Sequence, residues 1–359
     1  VAKYDASGSL IWARRAGGSS NDDSYGIAVD NGGVYITGTF WGTPNFNTPS
    51  SPASNTLTSA GTIDIFVAKY DASGSLVWAR RAGGIGGDYG IGIAVNNSEV
   101  YVTGAFMGTA NFNTPSSPAS NTLTSAGAED IFVAKYDASG NLIWARRAGA
   151  NSVNNSGSGI AVDNSGVYIT GYFNGTADFN TPSSPASNTL ASAGATDIFV
   201  AKYDASGSLV WARRAGGSSN NDFGNGIAVD NGEVYVTGSI SGIANFNTPS
   251  SPASNTLTVA GSFDIFVAKY DASGNLVWAR RAGGSNIDSG SGIAVNNSGV
   301  YVTGAFQGTT DFNTPSSPAS NTLTSAGAMT SSSANGSLLP LPLSRALRPR
   351  LPPSAWAVQ

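Results

Sequence analysis

Chemistry in this chain falls to carboxylates, amines, guanidinium groups, hydroxyls and amides, because it contains no histidine and no cysteine. That excludes imidazole bases, thiol nucleophiles, disulfides and Cys/His zinc sites. The 18 basic and 22 acidic residues give a net charge of −4, with no basic excess to suggest nucleic acid as a partner. Their placement is periodic. Five Lys-Arg-Arg sets hold 15 of the 18 basic residues, and Arg345, Arg348 and Arg350 make up the rest. A catalytic site needs one asymmetric cluster of ionisable groups, so a set repeated five times reads as structural. Asp64 is expected to lie diagonal to Arg80 across a hairpin, where an ion pair contributes about 0.2–1 kcal/mol. Arginine on an outer strand also discourages edge-to-edge pairing.

Few acids escape the pattern. Glu99 and Glu233 stand where Gly33 stands, at a tight turn. Asp22, Asp23, Asp88, Asp222 and Asp288 sit in links rich in Asn, Ser and Gly. Such oxygens can bind calcium, but the EF-hand spacing Asp-x-Asp-x-Asp-Gly is missing. Hydrogen bonds that stabilise turns are the expectation for them. The Ser-Gly and Gly-Gly pairs lack a following lysine and do not make a P-loop. No catalytic residue, metal ligand or cofactor site is assigned.

The elements that position these groups are repeated. VAKYDASG begins at Val1, Val67, Val133, Val200 and Val267, and FNTPSSPASNTL at Phe46, Phe112, Phe179, Phe246 and Phe312. A period of 66–67 residues makes one architecture of about five copies rather than two or three unrelated domains. In each unit a short apolar run, Gly26–Val29, is closed by Asp30-Asn31-Gly32-Gly33. Val34–Phe40 is rich in β-branched and aromatic residues. A polar connection, Trp41–Ile63, precedes Asp64–Tyr70; Asp71-Ala72-Ser73-Gly74 then suits a tight hairpin into Leu76–Arg81. No segment has a helical apolar period. Asp64–Tyr70 is apolar on both faces, so its sheet must be sandwiched between neighbours. Four-stranded sheets stacked on copies of themselves make a β-propeller; an open β-repeat array or solenoid is the alternative.

Asp64–Asp71, the Gly74 turn, the Trp78 strand, Gly83-Gly84, Gly92–Val95 and Val100–Gly104 resemble the SBBP β-propeller repeat of bacterial proteins. The resemblance covers residues 1–327. It implies an inner strand at Gly26–Val29, an outer strand at Leu76–Arg81 and a secreted or cell-surface bacterial protein. Four full blades then lie between complementary half-blades at 1–17 and 291–327, which could close a five-bladed ring. The long connection is this chain's own feature, and its TPSSPASNT segments suit a flexible loop or O-glycosylation.

In an up-and-down meander the long connections and the blade-to-blade links emerge at one end. Variation between copies gathers there. The residue ending the second strand is Trp41, Met107, Asn174, Ser241 or Gln307, and these five form the candidate interaction face. Variable side chains on a rigid ring suit binding, and free drift of exposed loops is the plainer account. Trp41 and Met107 lead as contacts. Trp12, Trp78, Trp144, Trp211 and Trp278 are expected in the core, with a sugar-stacking row as the alternative. The expected function is a non-catalytic scaffold or binding module, extracellular or at a bacterial cell surface, with a protein or glycan ligand and no membrane insertion within this segment. A carbohydrate-active propeller enzyme and a spacer without a ligand are the alternatives.

The repeat stops after Ala328. Met329–Asn335 read two bases out of frame permits Asp, Ile, Phe, Val and Lys at their repeat positions, so residues 328–359 are read as a frameshifted or disordered tail. Resequencing the source DNA tests this. The expected result is another Asp-Ile-Phe-Val unit past Ala328, and an intact frame as written would overturn it.

Overall fold

The computed structural model describes residues 1–48, 55–117, 121–151, 155–181, 188–218, 221–248, 255–314 and 321–327. The tail and the middle of each TPSSPASNT segment lie outside them. The described residues are all strands, turns and loops, and none forms a helix able to cross a membrane.

Four blades are antiparallel meanders in chain order. The first comprises Asp22–Asp30, Gly33–Phe40, Asp64–Tyr70 and Leu76–Gly84. The next three inner strands are Tyr89–Asn96, Ser156–Asp163 and Phe223–Asp230. This meander order excludes a solenoid coil. The third strand is buried along its whole length in the first three blades, as two apolar faces require.

The core therefore lies between blades. One cluster joins Tyr35, Ile65, Val67 and Trp78 of the first blade to Ile93, Val102, Phe132 and Tyr136 of the second. Trp78 stacks on the third-to-outer turn of the next blade and donates from Nε1 to Ala138 O at 3.1 Å. Trp12, Trp144 and Trp211 do the same to Ala72, Ala205 and Ala272. The turn is held by Asp137 Oδ1, which accepts from Ser139 and Asn141 N–H, and Gly140 sits at φ +76°. A Cβ on Gly140 would meet Trp78 Cδ2 at 2.6 Å, so glycine is needed both for the turn and for the indole above it.

The flexible-loop reading falls on the TPSSPASNT segments, whose middles lie outside the described residues; the flanking parts of the long connection are ordered. In the second unit they fold into a ribbon, Thr109–Asn111 against Thr122–Thr124, whose first strand pairs with Gly83 and Gly84 of the preceding blade. Phe112, at the head of the repeated FNTP string, is fully buried with its ring 5.0 Å from Phe132. Thr114 Oγ1 accepts from Leu142 N–H and so fixes the start of the outer strand. Hydrophobic periodicity does not reveal three-residue strands, and a single buried Phe in a polar string is a weak signal.

The half-blades do not join. Ala2–Tyr4 with Leu10–Ala13, and Ser289–Asn296 with Gly299–Ala305, remain separate two-stranded sheets. The composite fifth blade that would close a ring is thus absent among the described residues. Each half is held by its own neighbour, and the half-blade at 1–17 covers the first blade's third and outer strands but not its inner strand: Ile27 is 61% exposed, where its copies Ile93 and Ile227 are 8%.

Trp144→Ala removes a buried indole and is expected to cost about 3–5 kcal/mol by chemical denaturation. Among the described residues Trp278 has no following turn, and it is only half-buried, so Trp278→Ala costs measurably less. Equal losses would contradict the stacking account.

Candidate interaction face

At the loop-bearing end each blade junction is built on a buried acid. Asp64, the first residue of the third strand, accepts from Ala60 N–H at 2.8 Å and from Arg81 Nη1 at 2.5 Å, both at Oδ2. Asp130 pairs likewise with Arg147 at 2.6 Å, Asp197 with Arg214, and Asp264 with Arg281. The partner is thus Arg81 and not Arg80. Phe66 is paired with Arg81 across the ladder and shares its face with Asp64 two residues away, whereas Arg80 is opposite Val67 on the other face. From there Arg80 reaches the next blade, donating to Gly140 O and Ser139 O, and stacks on Trp78.

The link acids meet this junction from the following blade. Asp88 accepts from Gly84 N–H at 2.7 Å and Met107 N–H at 3.2 Å. Asp222 accepts from Gly217 and Ser241 N–H, and Asp288 from Gly284 and Gln307 N–H. Asn155 takes the same place in the third blade and accepts from Asn174 N–H at 3.1 Å. Asp22 holds Gly18 N–H. Asp22, Asp88, Asp222 and Asp288 are therefore hydrogen-bond acceptors that stabilise turns; the last three fix the backbone N–H of three of the five candidate positions, and Asn155 fixes that of a fourth. Burial pushes Asp88 up to about 6 and Asp222 up to about 7, against the opposing effect of the N–H donors.

The five candidate side chains are not equally available. Met107 is 37% exposed, while Trp41, Asn174 and Gln307 are half-buried. Ser241 is 1% exposed and donates from Oγ to Asn221 O, so it drops out of the face. Asn174 Nδ2 donates to Ala195 O. The tight-turn acids face the other end, where Glu99 pairs with Lys135 at 2.9 Å and Glu233 with Lys269 at 2.7 Å.

Two features escape sequence reasoning. A cleft of about 480 Å³ opens between the outer end of the second blade and the third unit's ribbon, lined by Arg147, Gly149, Asn151, Gly175, Thr176 and Asp178. The second is Glu129, which occupies the position of Ile63, Thr196 and Phe263. Burial, with a smaller effect from the neighbouring Asp130 charge, holds Glu129 up to about 7. Comparison of the units at that one position is the signal that finds it.

Stacked four-stranded meanders with this junction define a β-propeller repeat protein. Residues 210–247, from the outer strand of the third blade to the fourth unit's ribbon, match the SBBP β-propeller repeat. The strings of that segment recur in the other units. Over 358 residues the chain is 26% identical to a WD repeat-containing protein of Acanthamoeba polyphaga mimivirus, covering 85% of this chain and 26% of the relative. Over 320 residues it is 28% identical to the regulatory protein FlaEY of Caulobacter vibrioides, covering 84% of this chain and 32% of the relative. The chain thus spans about a quarter to a third of these relatives' lengths.

Arg214→Met leaves Asp197 buried without its cation. The expected loss in chemical denaturation is up to about 3 kcal/mol, tempered because the guanidinium is 28% exposed. A loss below about 0.5 kcal/mol would show that the pair does not hold the junction.

Proposed function

We propose that the chain is a non-catalytic propeller scaffold that presents its loop-bearing end to a protein or glycan ligand, outside the cell or at a bacterial cell surface. One observation carries this reading. At the end of each second strand from the second unit onward, the backbone N–H is fixed by a link residue, while the side chain changes from Met107 to Asn174, Ser241 and Gln307. A constant backbone with changing side chains is how a rigid framework acquires a specific surface. Met107 and Trp41 supply the apolar part, and the cleft at Arg147 and Asp178 the polar part. The names of the relatives, a WD repeat-containing protein and a regulatory protein, agree with a scaffold role. The location rests on the resemblance to SBBP repeats.

The chain is screened on a glycan array and against a displayed peptide library. The expected result is a ligand whose binding falls at least tenfold in Trp41→Ser/Met107→Ser while the melting temperature is unchanged. Silence on both screens favours a spacer, and cleavage of an arrayed sugar favours an enzyme.

A further inference from the structure

The junction acids come in facing pairs, and one oxygen of each pair is left over. Asp64 and Asp197 are fully buried, and Oδ1 of each has no hydrogen-bond partner, although Oδ2 is taken by an arginine and a backbone N–H. The facing oxygen is close at hand. A Cβ on Gly83 would meet Asp64 Oδ1 at 2.9 Å and Asp88 Oδ2 at 2.8 Å. On Gly216 it would meet Asp197 Oδ1 at 2.8 Å and Asp222 Oδ2 at 2.9 Å. Two carboxyl oxygens thus stand against the same glycine in a buried site served by one guanidinium, Arg81 or Arg214.

The chain carries its own substitution at this point. In the third blade the link residue is Asn155, whose Oδ1 accepts from Asn174 N–H as Asp88 Oδ1 accepts from Met107 N–H. Its Nδ2 therefore takes the place of Asp88 Oδ2. That amide donates to Glu129 O at 2.9 Å and lies 3.5 Å from Asp130 Oδ1, so the third-strand acid has a donor there. At the last junction Asp264 Oδ1 also lacks a partner, but Asp288 gains a further donor, Thr310 Oγ1 at 2.8 Å, so this pair is held differently.

We propose that Asp88 and Asp222 each hold a proton between themselves and the free oxygen of Asp64 and Asp197, making these two junctions latches that loosen on deprotonation. A protonated carboxyl has the shape and the donor of the amide that replaces it in the third blade. An amide donor in that place is the wrong group to share a cation with Asp130, which favours the proton over a metal ion. The charged groups facing Asp88 are Asp64 and Arg81, and those facing Asp222 are Asp197 and Arg214. Burial and the neighbouring carboxylate raise Asp88 to about 6 and Asp222 to about 7, whereas an unfolded Asp titrates near 3.9. The folded chain binds these protons more tightly than the unfolded one. Their contribution is therefore complete below about pH 4 and lost as pH rises through 6 to 7. Because the same acids hold Met107 and Ser241 N–H, opening a latch releases the loop-bearing end.

The test is the melting temperature between pH 5 and pH 8 for the parent chain, Asp88→Asn/Asp222→Asn and Asn155→Asp. The parent is expected to lose several degrees as pH rises, the double variant to lose less, keeping only the slope that the raised Glu129 contributes, and Asn155→Asp to fall more steeply than the parent. Identical profiles for parent and double variant would overturn the proposal. So would calcium chloride raising the parent's melt at pH 8 while leaving the double variant unmoved, which would make the pairs a cation site. Should the double variant not fold, Asn155→Asp decides alone, and a slope equal to the parent's contradicts the latch.

Discussion

The third strand of every unit is apolar on both faces, and the rest of the structure follows from the need to cover it. A single four-stranded sheet can bury one face against its own connections but not two. Each blade therefore borrows its core from the next, and the indole of Trp78 on the Gly140 turn is the repeated contact that fixes how one blade sits on another. Stability in such an array is a sum of unit and nearest-neighbour contributions. Exposed Ile27 at one end and half-buried Trp278 at the other mark the limits of the described neighbours.

Close approach at the junction is possible only where side chains are removed. A Cβ on Gly84 would stand 1.9 Å from Thr109 O, so the ribbon of the second unit can pair with the first blade's outer strand only at glycine. Beside this ladder Asp64, Arg81 and Asp88 satisfy the backbone groups of the link and the loop. The ribbon, the ion pair and the link acid thus act as one clamp between blades, which is why the candidate interaction positions inherit a fixed backbone from it.

What the sequence revealed and what it withheld divide along physical lines. Strand positions were legible because β-branched runs and Gly turns recur at a fixed period, and Asp64–Tyr70 falls where the pattern puts it. The core role of Trp144 followed from its place on a strand between apolar neighbours. The partner of Asp64 was misread because one step of register moves a side chain to the opposite face. The ribbon was missed because its strands are three residues long and polar outside. Burial of Ser241 and the half-buried Glu129 depend on contacts between units, which no pattern within one unit displays.

Exchange of the tryptophan indole N–H protons with solvent, followed by NMR, tests the blade-on-blade stack most directly. The account predicts slow exchange for Trp12, Trp78, Trp144 and Trp211, each of which donates to a carbonyl of the next blade, and faster exchange for Trp278. Five indoles exchanging alike would contradict it.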